Sequence, residues 1–145
     1  MKTHTGYSKR EKQVLNGWGE YLDSIPWTSF CTFTSYYRLS KTGTRVKMEN
    51  LAKNLKSKST GTFRLFWVAE PFANLDYHVH SLIKMDYPAI TSKQIIINAW
   101  HQVNPPAGYK MHNLADVQEY LPNKGAHYYV SKYLQIDNVD YDFIY

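Results

Sequence analysis

The chain has 145 residues, of which 43% are hydrophobic and 16% aromatic, and a formal net charge of +5. That length accommodates one domain without a second catalytic module, and the apolar content excludes intrinsic disorder. A lone cysteine, Cys31, excludes a disulfide framework or a multi-cysteine zinc module; no apolar run approaches the roughly 20 residues of a membrane span, and the polar start has no signal-peptide core. The expectation is one soluble domain, residues 1–145, in the cytoplasm and away from membranes.

Taken in chain order, Ser8 to Ser24 reads as a helix, with Val14, Trp18, Tyr21 and Leu22 at helical spacing and Pro26 ending it. Trp27 to Thr34, rich in aromatic and β-branched residues, reads as a strand that buries Cys31. Arg38 to Arg45 reads as a basic loop containing Gly43, followed by a helix whose stripe is Met48, Leu51, Ala52 and Leu55. Phe63 to Glu70 has apolar residues on both faces, which suits a central strand. After a turn at Pro71 to Asp76, Tyr77 to Met85 forms the second arm of an antiparallel hairpin. Thr91 to Gln102 is a helix carrying Ile95, Ile96, Ala99 and Trp100, Tyr109 to Val117 a further strand, and Asn123 to Gln135 a last helix. The tail Asp137–Tyr145 reads as a loosely packed terminus. The order of elements predicts an α+β fold, a central antiparallel sheet with flanking helices around a ferredoxin-like core.

Charge is unevenly spread. Residues 1–66 hold twelve basic and four acidic groups, residues 67–145 five and eight. Arg38, Lys41, Arg45, Lys47, Lys53, Lys56 and Lys58 are opposed within their stretch only by Glu49. A field of one sign attracts a polyanion, although a solvated helix face accounts for the same run.

Two short segments carry chemistry. In His78-Val79-His80, the period of two along a strand sends both imidazoles to one face. Glu70, eight residues earlier, ends the first arm of the hairpin and can bring a carboxylate beside them. Two imidazoles and a carboxylate leave coordination positions open and suit Mn²⁺ or Mg²⁺ at least as well as Zn²⁺. The plainer alternative is a pair of half-exposed strand histidines. A cupin would want a Glu shortly after the pair, and a zinc deaminase H-x-E with C-x-x-C; neither pattern is present. In the second segment, Tyr129 and Lys132 lie one helical turn apart beside a stripe of Ala126, Val130, Tyr133 and Leu134. A cation there favours phenolate, or neutralises a phosphate that the phenol attacks. A half-buried Tyr beside a solvated Lys is the alternative. His101, His112 and His127 read as surface or structural.

Together these segments resemble the HUH endonucleases, in particular the rolling-circle replication initiators (Rep) of viruses and plasmids. Phe30-Cys31-Thr32-Phe33-Thr34 is similar to their first, structural motif, His78-Val79-His80 to the His-hydrophobic-His motif, and Tyr129-Val130-Ser131-Lys132 to the YxxK motif, in that order. The resemblance covers roughly residues 27 to 135. It implies a ferredoxin/RRM-like HUH core, a divalent metal (Mn²⁺ or Mg²⁺) held by His78, His80 and Glu70, and Tyr129 as nucleophile with Lys132 beside it. Tyr133 fits a two-tyrosine spacing, but Ile136 replaces the second Lys of that pattern. The implied substrate is single-stranded or hairpin DNA at a replication origin, held by the basic stretch Arg38–Lys58, with a 5′-phosphotyrosine intermediate. The chain lacks GxxxxGK[ST], so a host helicase and polymerase would act with it. A small single-tyrosine transposase and a non-catalytic DNA-binding homologue are the alternatives, and the chain is a monomer or a dimer.

Overall fold

A computed structural model describes residues 9–72, 75–105, 114–122, 125 and 138–145. The elements run α1 (Lys9–Asp23), β1 (Ser29–Phe33), α2 (Lys41–Lys58), β2 (Arg64–Pro71), β3 (Tyr77–Lys84), α3 (Ala89–Val103), β4 (Ala115–Glu119) and β5 (Asp140–Ile144). The strands form one sheet in the order β4-β1-β3-β2-β5, with every neighbouring pair antiparallel. The architecture is therefore α+β, a five-stranded antiparallel sheet with three helices among the described residues. None of these helices is long and apolar enough to cross a membrane.

Period-two alternation divides the inner strands between two cores. Cys31, Phe33, Leu65, Trp67, Ala69, Val79 and Ile83 point to one face, where Met48, Leu51 and Leu55 of α2 and Ile96, Ala99 and Trp100 of α3 cover them. Phe33 and Trp100 stack there with ring centroids 4.8 Å apart. Phe66, Val68 and Leu82 point the other way and meet Leu22 of α1 and Trp27. The indole of Trp27 donates to the Leu22 carbonyl at 2.7 Å, which ties the end of α1 to the start of β1. The two-faced apolar pattern of residues 63–70 is thus that of a strand flanked by β3 and β5 and covered by a layer on each face.

Three expectations need correction. Most of Arg38–Arg45 is helix rather than loop: Ser40 is the N-cap, its hydroxyl accepting from the Gly43 amide at 3.0 Å, and the helix begins at Lys41. Gly43 belongs to that first turn, where a Cβ would stand 2.9 Å from the capping oxygen. The fourth strand runs later than expected, to Glu119, and residues 109–113 of the expected Tyr109–Val117 strand lie outside the described residues. The tail is not loosely packed; Asp140–Ile144 pairs with β2 as an edge strand. Arg45 of α2 fastens it, donating from Nε and Nη2 to Asp140 at 2.8 Å each and from Nη1 to Asp142 at 3.3 Å, while its guanidinium lies over the Trp67 ring.

Candidate metal centre

The β2–β3 hairpin places Glu70 directly opposite His78, and Val68 opposite His80. Facing residues on an antiparallel pair have Cβ atoms about 5 Å apart, so a glutamate reaches across to an imidazole. Val79 and Ala69 turn into the core under α2 and α3. Their neighbours Glu70, His78 and His80 therefore share the opposite face of the sheet.

His78 Nε2 lies 2.7 Å, and His80 Nε2 3.5 Å, from Glu70 Oε1. The two imidazoles meet edge to face with centroids 4.9 Å apart. One donor atom from each residue falls within 4.8 Å of the other two. Metal bonds to N and O of about 2.0–2.2 Å need donor atoms spaced at about 3–4 Å, so small side-chain rotations bring all three onto one ion. His78 is 4% exposed, and the side chains of His80 and Glu70 only 13% and 15%. These are not the half-exposed histidines of the plainer alternative.

Burial alone would raise the Glu70 carboxyl, but hydrogen bonds from His78 and His80, together with their charge, outweigh it and hold the group down at about 2. Glu70 is thus a carboxylate at neutral pH. It accepts only, so His78 Nε2 carries the proton of their hydrogen bond in the metal-free protein. The second nitrogens of the two rings differ. His80 Nδ1 lies 3.4 Å from the Thr32 hydroxyl of β1, whereas His78 Nδ1 is buried without a hydrogen-bond partner. The ring of Phe72, just past β2, stacks on His78 at 3.5 Å between centroids and 14° between planes. A half-buried carboxylate with two imidazole nitrogens aimed at it is a suitable donor set for a divalent cation.

Thr32 and Phe72 were not singled out in the sequence as site residues. Thr32 reaches the site through the long-range pairing of β1 with β3, for which no local pattern gives a signal. Phe72 belongs to the turn after β2, and its aromatic ring next to a charged strand end was the available clue.

The remaining expected site residues are distributed differently. Tyr129, Lys132 and Tyr133 lie outside the described residues, as do His112 and His127. Of the basic stretch, Arg38, Lys41, Lys53 and Lys58 are exposed. Arg45 is engaged with Asp140 and Asp142, Lys47 donates to the Val103 carbonyl at 3.2 Å, and Lys56 to the Tyr145 carbonyl at 2.9 Å. α2 packs on the face of the sheet opposite Glu70, His78 and His80. Only its N-terminal end comes near them: the Leu39 carbonyl accepts from the Tyr77 amide and the Leu39 amide donates to Asp76, both at 2.9 Å. No family model, curated protein or solved structure matches this chain.

Proposed function

We propose that this protein is a metal-dependent endonuclease and strand transferase of the HUH type, which nicks single-stranded or hairpin DNA at a replication origin. The observation that carries the reading is the convergence of Glu70, His78 and His80 on one face of an antiparallel sheet. The strand order β4-β1-β3-β2, with helices after β1 and β3, is compatible with the ferredoxin-like core expected of such enzymes. The Tyr129-Val130-Ser131-Lys132 sequence supplies the nucleophile of the reading.

Glu70, His78 and His80 would hold the cation, and two imidazoles favour Mn²⁺ over Mg²⁺, which prefers oxygen. When bound, the ion polarises the scissile phosphate and neutralises the charge that develops on it. The Tyr129 oxygen attacks phosphorus in line; the bond to the 3′ oxygen breaks, leaving a 5′-phosphotyrosine and a free 3′-OH. Lys132, three residues along the chain, would favour the phenolate. The reverse attack by a 3′-OH rejoins the strand, which makes the same residues a transferase.

The test is a covalent adduct formed with labelled single-stranded oligonucleotides, including hairpins, in the presence of Mn²⁺. Tyr129→Phe is expected to abolish it and EDTA to prevent it. Salt-sensitive DNA binding with no adduct under any of these conditions would reject catalysis in favour of a DNA-binding homologue.

A further inference from the structure

Histidines that bind metals almost always engage their second ring nitrogen in a hydrogen bond, which fixes the tautomer and the plane of the ring. His80 has such a partner in Thr32. His78 has none among the described residues, where its Nδ1 is buried and unpaired. Its ring is nevertheless held on two sides, by Glu70 at Nε2 and by the face of Phe72.

Phe72 gains little for folding where it stands. It is 57% exposed and, among the described residues, belongs to neither core cluster and makes its ring contact with His78. The backbone around it is well tied: its amide donates to the Asp76 carbonyl at 2.9 Å, its carbonyl accepts from the Leu75 amide at 3.1 Å, and Asp76 is in turn held by Leu39. An exposed aromatic ring on a fixed support, laid flat on a buried imidazole, is an arrangement that burial of apolar surface does not explain. Near-parallel stacking at 14° restrains rotation of the imidazole about its Cβ–Cγ bond, the motion that a hydrogen bond at Nδ1 would otherwise stop.

We propose that Phe72 is a positioning residue for the metal ligand His78, holding by ring stacking the orientation that Thr32 holds for His80 by a hydrogen bond. The inference rests on the metal-centre reading and adds to it a residue that is not itself a metal donor. It requires a planar ring at position 72, since apolar cover alone does not fix a plane.

The experiment compares wild type, Phe72→Leu and Phe72→Tyr. In the metal-free proteins, the His78 ring protons are read by NMR; stacking shifts them upfield in wild type and Phe72→Tyr but not in Phe72→Leu. Mn²⁺ affinity is then read by electron paramagnetic resonance. Phe72→Leu should bind at least about tenfold more weakly, the lower end of losses for residues that orient a ligand, and Phe72→Tyr should bind like wild type. Unfolding midpoints without metal separate orientation from folding and should agree across the three. Equal Mn²⁺ affinity in Phe72→Leu, equal loss in both variants, or unshifted His78 protons in wild type would each overturn the role of Phe72 while leaving the site standing. A wild-type protein that binds neither Mn²⁺ nor Zn²⁺ would overturn the metal centre itself and the inference with it.

Discussion

Replacing Arg45 with Met tests how the C-terminal strand is held. The guanidinium makes two 2.8 Å hydrogen bonds to Asp140, a longer one to Asp142 and one to the Tyr141 carbonyl. A charge-assisted hydrogen bond contributes about 1.5–3 kcal/mol, and an exposed ion pair only about 0.2–1 kcal/mol. The Arg45 side chain is 35% exposed and that of Asp140 20%, so solvent screening brings the fork to about 1 kcal/mol. Loss of the cation over Trp67 adds about 0.5 kcal/mol, while the methylenes of Met retain the packing. The expected destabilisation is about 1.5 kcal/mol, and the coupling to Asp140→Asn in a double-mutant cycle about 1 kcal/mol. Urea unfolding measures both. The coupling should shrink between about 0.1 M and 1 M salt, as the Debye length falls from roughly 10 Å to 3 Å. The Arg45 hydrogen bond holds the Asp140 carboxyl below its ordinary value. This stabilisation is therefore complete above the usual carboxylate range and is lost as pH falls through the lowered native value, where the gap between wild type and Arg45→Met should narrow to the part contributed by the Trp67 ring and the Tyr141 carbonyl. A coupling indistinguishable from zero at low salt, or a gap that does not narrow in acid, would refute the assignment of Arg45 to the fold.

Glu70→Gln should lower the urea midpoint in the absence of metal, because the native carboxyl is held below its ordinary value, and should weaken Mn²⁺ binding at least about tenfold, because it replaces the anionic donor with a neutral amide; urea unfolding and calorimetric titration check the two effects. Burial pushes the Tyr120 phenol up to about 12, with Asp23 adding to the shift. Its native value exceeds the unfolded one, so stability is complete below about pH 10 and is lost as pH rises towards 12; ultraviolet titration of phenolate together with unfolding at alkaline pH measures it. In the salt dependence of single-strand binding, each neutralised phosphate contributes about 0.7 to the log–log slope. Lys41→Ala should lower that slope, and Arg45→Ala, already paired within the fold, should leave it unchanged.

The part of the site that could be read from sequence is the part fixed by local periodicity. Two residues of separation along a strand set His78 and His80 on one face, and an eight-residue hairpin spacing set Glu70 opposite His78. Residues 63–70 announced a central strand because both faces were apolar. What local pattern could not supply was pairing between distant segments. Thr32 meets His80 only because β3 takes its place between β1 and β2. β5 escaped notice because Asp140 and Asp142 alternate with Tyr141 and Phe143 like a solvated tail, and their neutralising partner, Arg45, is almost a hundred residues away. Ser40 is a good helix cap three residues before a glycine, but the run of cations around that glycine read as a basic loop.

The placement of α2 beneath the sheet and of the metal donors above it constrains how any polyanion could use both. A strand held by both would have to pass from one face of the sheet to the other. A duplex, stiff over about 50 nm, resists so tight a corner, whereas a flexible single strand follows it without comparable cost. On the proposed reading, this separation of the two faces favours a single-stranded substrate over an intact double helix.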